Sequence, residues 1–498
     1  MTTDCPEAAV TAPVAHPDRF FIGGEWVAPS STATIDVIDS HSEEVYFSVA
    51  EAQAEDMERA ISAARNAFDN GPWPFLSHGE RAEYLRALGK EVAARGDALG
   101  DIWPRESGIL AIMAKYAAPA FATVFDYYAG LADTFAWEER AQPTGGGSFG
   151  LIVREPVGVV GAIIPWNAPI QLAIYKMAPA LLAGCTVILK ASPEAPGAAY
   201  LLAEAAEAAG LPAGVFNVLT ADREVSERLV TDPRVDKIAF TGSTAAGRRI
   251  ASLCGERIAR YTLELGGKSA AVILDDADLA GAAAAIAGAE CMISGQVCSS
   301  LTRLVVPRNR HDEFVDALAS TFSKVVVGDP FADTTQMGPL AMERQRDKVL
   351  SLIEKGKTEA KLVTGGGRPA HLERGYYVEP TVFAGVDNSA TIAQEEIFGP
   401  VLSVIPAADE EDAIRIANDT IYGLNASVFT PDADRARAVA ARLRSGTVGH
   451  NGFRTDFGIA FGGFKQSGIG REGGVEGLHP YLETKTVILD GTPSAYGD

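Results

Sequence analysis

The chain has 498 residues, 47% hydrophobic and 22% charged, with 43 Lys and Arg against 65 Asp and Glu for a formal net charge of −22. This composition excludes a disordered chain, collagen and a disulfide scaffold. The acidity argues against a nucleic-acid or anionic-membrane surface, whose phosphates demand basic groups.

At roughly 150 residues per domain, the length predicts two to four domains. The opening MTTDCPEAAVTAP has neither a basic nor an apolar region, so it does not read as a signal peptide, and residues 1–18 read as a loose tail. FFIGGEW at 20–26 reads as a strand and turn. Met57, Ala60, Ile61, Ala64 and Phe68 fall on one face of a helix over 55–68. Helical patterns continue to about 135, broken by GPWP at 71–74. PTGGGS at 143–148 reads as a turn between a helix and the strand GLIVREP.

Strands then alternate with helices. VGVVGAIIP, TVILK, VFNVLT and KIAFTG are separated by helices over 197–209 and ending near 231, and a further helix opens near Ser243. That spacing predicts a doubly wound parallel sheet. A second α/β region begins near Ala270, with strands AAVIL, RLVVP and VLSVI and helices near 278–294, 311–323 and 342–355. TKTVIL at 484–489 has no neighbouring partner and must pair at a distance. The uncharged stretch 157–175 is long enough to span a membrane, but Pro165, Trp166, Asn167, Pro169 and Gln171 break it and make it polar, so no membrane helix is expected.

Cys5, Cys185, Cys254, Cys291 and Cys298 are odd in number and form no CxxC, a reduced, intracellular usage that makes the cytoplasm the expected compartment. The seven histidines form no HExxH and no Cys/His cluster, so no metal is expected.

Four short segments carry chemistry. FTGSTAAG at 240–247 ends a strand and opens a helix, where backbone N–H groups can cradle a pyrophosphate; the plainer reading is a tight turn. SGQVCSS at 294–300 places Cys298 in a small polar turn, suited to a thiolate nucleophile; the plainer reading is a small buried hydrophobe, which fits Cys185, Cys254 and Cys291. LELGGKS at 263–269 sets Glu264 in apolar surroundings that would raise its pKa for general-base work, against a plain surface Glu. PWNAP at 165–169 aims the Asn167 amide, either as an oxyanion donor or as a turn stabiliser.

Together with EEIFGPV at 395–401 and FGGFKQSGIGRE at 461–472, these motifs occur in an order and spacing that resembles the aldehyde dehydrogenase superfamily over about 20–489. The resemblance implies an α/β fold with a Rossmann-like NAD(P)-binding domain (1–137 and 157–266), an α/β catalytic domain (267–466) and a small β oligomerisation arm (138–156 and 482–498). It implies oxidation of an aldehyde to the acid through a Cys298 thiohemiacetal and thioester. Asn167 would hold the oxyanion, Glu264 would activate the hydrolytic water, and Glu472 falls where some members place a second carboxylate linked to proton relay.

Trp166, Lys190, Gly242 and Ser243 match positions lining the adenosine and pyrophosphate site. Glu396 and Phe398 match those at the nicotinamide ribose and ring, and Lys348 a ribose contact. Many NAD-preferring members carry Glu three residues after the Lys; here Pro193 stands there and Glu194 follows, so NAD is expected with NADP possible. Substrate positions match Ala168, Gln171, Leu172, Tyr175, Met292, Val297, Phe453 and Phe457. This mostly apolar set implies an apolar or aromatic aldehyde, whereas Arg454, if it pointed inward, would suit a semialdehyde. A homo-oligomer is implied, tetramer ahead of dimer, with Arg260, Glu483 and Arg471 as an ion cluster near the contact. The alternatives are a Cys-dependent ester or thioester hydrolase and a binding protein with a dead site.

Overall fold

The computed structural model describes residues 13–497; Cys5 and most of the tail expected at 1–18 lie outside them. The described residues form four sheets, the smallest a pairing of Thr34–Ile38 with Val45–Ala50. The first has eight strands in the order Gly468–Ile469, Arg260–Glu264, Lys237–Thr241, Val159–Ile163, Thr186–Ala191, Phe216–Thr220, Phe20–Ile22 and Glu25–Val27. Its five inner strands are parallel and its edges antiparallel.

The inner strands read as unbroken apolar runs because both faces are covered. Val160, Ala162, Val187 and Leu189 join one core with the helices Pro169–Ala183 and Gly197–Ala208. Val159, Ile163, Ile188 and Ile238 join another on the opposite face with Ala54–Asn70 and Thr244–Glu256. The Ala54–Asn70 helix is fixed at its start by Asp56, whose carboxylate accepts from the Gln53 N–H at 2.8 Å. Met57, Ala60, Ile61 and Ala64 are buried on one side of it, as their spacing requires.

The second sheet runs Lys361–Thr364, Thr381–Ala384, Val401–Ala407, Arg303–Pro307, Ala270–Ile273, Asn425–Phe429, Thr447–His450. All its pairs are parallel except the first. The third sheet has three antiparallel strands, with Phe149–Pro156 between Leu482–Leu489 and Glu138–Ala141.

The distant partner of TKTVIL is therefore Phe149–Pro156, in a register from Leu482↔Pro156 to Leu489↔Phe149. Three expectations need correction. The PTGGGS turn joins two strands rather than a helix and a strand: polar Glu138–Ala141 has no strand pattern of its own and is extended by pairing with Phe149–Pro156. The helix expected over 278–294 ends at Cys291, because Ile293, Ser294 and Gly295 have φ of 47°, 55° and 72°, which no right-handed helix admits. Residues 468–469, outside all three expected domain spans, add a strand to the first sheet beside Arg260–Glu264. The stretch 157–175 is a strand, a turn and the start of a helix; among the described residues no helix is long and apolar enough to cross a membrane.

Candidate active site

Cys298 stands where the two larger sheets face each other. The left-handed run Ile293–Ser294–Gly295 bends the chain back toward the first sheet, and Gln296, with no exposed surface, pins the bend. Its Nε2 donates to the carbonyls of Ser107 (3.0 Å) and Ile293 (2.9 Å), and its Oε1 accepts from Ala341 N–H at 2.9 Å. Cys298 is half-buried. Burial pushes its thiol up to about 12, the Glu396 and Glu264 carboxyls push the same way, and its own N–H and that of Ser299 pull it down. Gly267 must be glycine here: a Cβ would lie 2.2 Å from the Cys298 carbonyl oxygen.

Asn167 sits just past the Val159–Ile163 strand. Pro169 opens the following helix at a position where its missing N–H costs nothing. Asn167 Nδ2 donates to the Gln296 carbonyl at 2.8 Å, and its own carbonyl accepts from Trp103 Nε1 at 2.9 Å. A primary amide has two N–H donors, so one fixes the side chain against the cysteine turn and the other remains for a ligand in the cleft.

Glu264 is the last residue of its strand and only 2% exposed, which overturns the surface reading. Neither carboxylate oxygen has a hydrogen-bond partner. Burial pushes its pKa well above the ordinary range, and the charge of Glu472 adds to the rise; Lys176 and Arg471 oppose it. Glu472 is equally buried and is ion-paired with Lys176 Nζ at 2.6 Å, and the same ammonium donates to Thr241 Oγ1 at 2.5 Å. Cys298 and Asn167 thus line one cleft, and Glu264, just before the lining residues Leu265 and Gly266, lies close enough for its charge to act on the Cys298 thiol, with Glu472 near it in turn.

The cleft, about 190 Å³, is lined by Trp166, Asn167, Leu172, Gly242, Ser243, Cys298, Lys348, Glu396 and Phe398 among the expected residues, and by Pro165, Thr241, Leu265, Gly266 and Gln345 besides. Ser243 caps the Thr244–Glu256 helix, accepting from Ala246 N–H at 3.3 Å. Glu396 accepts from Gly267 N–H at 3.0 Å, and Lys348 Nζ donates to the Glu396 carbonyl at 2.9 Å. The Trp166 and Phe398 rings meet edge-on at 5.3 Å. Lys190 lies outside this lining, buried at the end of Thr186–Ala191, its pKa lowered by burial to about 8.

These residues fit a dinucleotide. A helix N-terminus favours phosphate, and the adjoining Thr244 Oγ1 is buried without a partner. Glu396 offers a carboxylate to ribose hydroxyls, and Trp166 and Phe398 offer aromatic walls.

Of the substrate positions, Leu172 and Ala168 are buried beside Asn167, and Tyr175 and Phe457 are half-buried with rings 4.5 Å apart. Phe457 stacks in turn on Phe461 at 4.2 Å, an aromatic neighbour not expected from the motifs. Gln171, Met292 and Val297 are half-buried. Phe453 packs against the core of the second sheet, and Arg454 is exposed and in no ion pair among the described residues.

The expected ion cluster is corrected. Arg260 pairs with Glu483 at 2.5 Å, but Arg471 donates to the Gly463 and Gly470 carbonyls and stacks on Phe464, because the glycine-rich turn carries it away from Glu483. The motifs also missed three positioning side chains. Gln296 lies inside GQVC, where Val297 and Cys298 drew notice and it did not. Lys176 is a lysine in an otherwise apolar helix, itself a signal of burial with a partner. Gln345 donates to the Ile397 and Phe398 carbonyls and so fixes Phe398 at φ 60°.

A family model described as "Aldehyde dehydrogenase family" matches residues 26–487. The chain is 46% identical to a geranial dehydrogenase of Castellaniella defragrans, across 95% of this chain and 99% of that protein. It is 42% identical to a 3-succinoylsemialdehyde-pyridine dehydrogenase of a Pseudomonas species, across 94% and 98%. Among solved structures it is similar to aldehyde dehydrogenase C of Pseudomonas syringae complexed with NAD+ and octanal, at 40% identity and a TM-score of 0.92, covering 97% and 99%.

Proposed function

Because the chain belongs to the aldehyde dehydrogenase family, we propose that Cys298, Asn167 and Glu264 carry its reaction and that the cleft of Gly242, Ser243, Lys348, Glu396 and Phe398 holds its coenzyme. The enzyme oxidises an aldehyde to the carboxylic acid with NAD+. The observation that carries the residue assignment is one thiol and one free amide N–H on a single cleft, with a buried, unpartnered carboxylate next to its Leu265–Gly266 wall and near enough for its charge to act on the thiol.

Cys298 Sγ attacks the aldehyde carbonyl, forming a thiohemiacetal. The free Asn167 N–H donates to the developing oxyanion, a contact whose loss typically costs about 3–4 kcal/mol of transition-state stabilisation. NAD+, when bound, supplies the two-electron acceptor that takes the thiohemiacetal to a thioester. Glu264 accepts a proton from water as it attacks the thioester, and the acid and the free thiol result. The Lys176–Glu472 pair lies near Glu264, where the Glu472 carboxylate raises its pKa and the Lys176 ammonium opposes that rise.

An apolar or aromatic aldehyde fits the Tyr175–Phe457–Phe461 stack and the buried Leu172 and Ala168. The similarity to proteins named for geranial and for an octanal complex supports this reading. The second reading, an acidic semialdehyde, needs Arg454 to point into the pocket, whereas Arg454 is exposed and absent from the cleft lining. We place the enzyme in the cytoplasm, as a homo-oligomer, tetramer ahead of dimer, joined through the 138–156 and 482–498 arm, whose Ile488 is exposed. The 1–137 with 157–266 and 267–466 spans would be its coenzyme and catalytic domains.

The test is reduction of NAD+ across a panel of apolar aldehydes and semialdehydes. Cys298→Ala should lose at least about 10⁴-fold. Glu264→Gln should keep a first-turnover burst and lose steady turnover. Retained turnover in Cys298→Ala sinks the mechanism, and a semialdehyde exceeding every apolar aldehyde in kcat/KM sinks the substrate reading. Sedimentation of Glu483→Lys tests the arm; unchanged assembly removes the Arg260–Glu483 pair from the subunit contact.

A further inference from the structure

Glu290 is the one charged residue of the helix Leu279–Cys291, whose sequence is otherwise alanine, glycine, leucine, isoleucine and cysteine. A carboxylate in such surroundings is seldom fully buried unless it answers another charge. Glu290 is buried, and so is Lys268, which follows the Gly266–Gly267 turn and leads into Ala270–Ile273. Among the described residues, Lys268 Nζ and Glu290 Oε1 have no hydrogen-bond partner. The reaction as read above uses neither.

Three functional segments meet around these two side chains. A Cβ on Gly295, in the Cys298 turn, would lie 2.7 Å from Glu290 Oε1 and 2.5 Å from the Gly399 carbonyl carbon. The Glu290 carboxylate therefore sits where the turns of Cys298 and Phe398 touch. Lys268 is tied down through its own carbonyl, which accepts from Arg303 Nε at 2.9 Å. Just before it, the Gly267 N–H donates to Glu396 at 3.0 Å, and a Cβ on Gly266 would lie 2.5 Å from the same carboxylate.

The charges of these groups act on one another. Burial, with the cations of Arg303 and Lys348, brings Lys268 down to about 7, and Glu290 and Glu396 oppose that fall. Burial lifts Glu290 to about 8, opposed by Ser300 and Lys268. Burial also lifts Glu396, opposed by the Gly267 N–H, Lys348 and Lys268. Cys298 and Tyr422 also lie close enough for the Glu396 charge to act on them.

We propose that Lys268 is a positioning residue for the coenzyme: its ammonium keeps Glu396 a carboxylate, ready for the ribose hydroxyls in the cleft, and Glu290 keeps Lys268 charged. The inference rests on the reading of the cleft as the coenzyme site and of Glu396 as its ribose acceptor. An ionised carboxylate accepts hydrogen bonds about twice as strong as a neutral acceptor does. Removing the ammonium leaves two buried carboxyls with less opposing charge, so each takes up a proton at higher pH. NAD+ affinity should fall as pH drops through the Glu396 pKa, and without Lys268 the fall should begin at higher pH.

The test is calorimetric titration of the intact enzyme with NAD+, without aldehyde, across the pH range in which it stays folded. Wild-type affinity should be level at the alkaline end and weaken along one acid limb. Lys268→Met should move that limb up by roughly one pH unit, or roughly tenfold in affinity at a pH on the limb. Glu290→Gln should move it the same way and less, because Lys268 then loses its proton sooner. Glu396→Gln should remove the limb, and adding Lys268→Met to it should bring no further change with pH. A limb unmoved in Lys268→Met, a loss of affinity equal at every pH, or a limb that survives in Glu396→Gln would overturn the proposal. If Lys268→Met does not fold, an unmoved limb in Glu290→Gln overturns it alone. A wild type that binds no NAD+ at any pH brings down the reading of the cleft itself, and the role of Lys268 with it.

Discussion

On one wall of the cleft, Asn167 and Ser243 stand just past the ends of parallel strands, and Glu264 ends the strand beside them, each fixed by a regular ladder. On the other wall, Cys298 and Phe398 ride on turns with left-handed residues at Ile293, Ser294 and Phe398. Such backbone costs on the order of 1–3 kcal/mol per strained residue and persists only where surrounding contacts over-determine it. Here the contacts come from two buried glutamines. Gln296 makes three side-chain hydrogen bonds around the Cys298 turn, and Gln345 makes two to the Ile397–Phe398 backbone. The strand-end wall is built by secondary structure and the turn wall by individual amides, so the two should respond differently to substitution.

The largest effect within this contrast is expected at Asn167, which touches both walls. Asn167→Ala should lower kcat by about 10²–10³-fold through the lost oxyanion donor, with KM changing much less. An effect confined to KM in steady-state kinetics would break the assignment. Gln296→Ala comes next. It strands the Ala341 N–H and the Ser107 and Ile293 carbonyls, and should cost about 3 kcal/mol in denaturant unfolding and slow the acylation step. An enzyme with unchanged stability and unchanged burst rate would show that the turn holds itself.

The thiol gives a pH test of the same wall. A pKa raised to about 12 means that Cys298 is protonated at neutral pH and becomes a thiolate only as pH rises. In the coenzyme-free enzyme, iodoacetamide labelling of Cys298 should therefore be slow and still rising above the ordinary thiol range; a plateau near neutrality contradicts the burial argument. Glu264 adds the opposite requirement: a carboxyl with a raised pKa accepts a proton only above that pKa. Deacylation-limited kcat should fall on the acid side at a pH above the ordinary carboxylate range, and Glu264→Gln should abolish that limb. The smallest effect belongs to the strand-end wall. Ser243→Ala removes one cap from the Thr244–Glu256 helix and should cost about 1 kcal/mol in denaturant unfolding, its kinetic effect falling on the KM for NAD+. A loss as large as that of Gln296→Ala would erase the distinction between the walls.

The same distinction explains what the sequence disclosed. The Val- and Ile-rich strands and their intervening helices were legible because burial on both faces writes a continuous apolar run. Glu264 and Asn167 were legible because each follows such a run. Cys298 was visible as a residue type in a motif, but the early end of its helix was not, since left-handed backbone at Ile293 opposes that residue's own preference and is held by Gln296, which ties the turn to Ser107 and Ala341 elsewhere in the chain. Glu138–Ala141 was hidden for a related reason: its polar residues become a strand only beside Phe149–Pro156. Arg471 was misplaced because the surrounding glycines leave the chain's direction unspecified. The ion pairs Lys176–Glu472 and Glu194–Arg344 join residues far apart in the chain, which no local pattern records.

The arm sheet has a consequence for how the protein is made. Its outer strand Leu482–Leu489 pairs with Phe149–Pro156, emitted by the ribosome some 330 residues earlier. Until residues 482–489 emerge, the nascent polypeptide can form only the hairpin of Glu138–Ala141 with Phe149–Pro156, a two-stranded ribbon that is marginal on its own and carries an open edge prone to pair with other chains. Leu482–Leu489 covers that edge. Whatever the three-stranded sheet contacts is thereby reserved for molecules that have reached residue 489, and a chain terminated before 482 is left with an exposed strand.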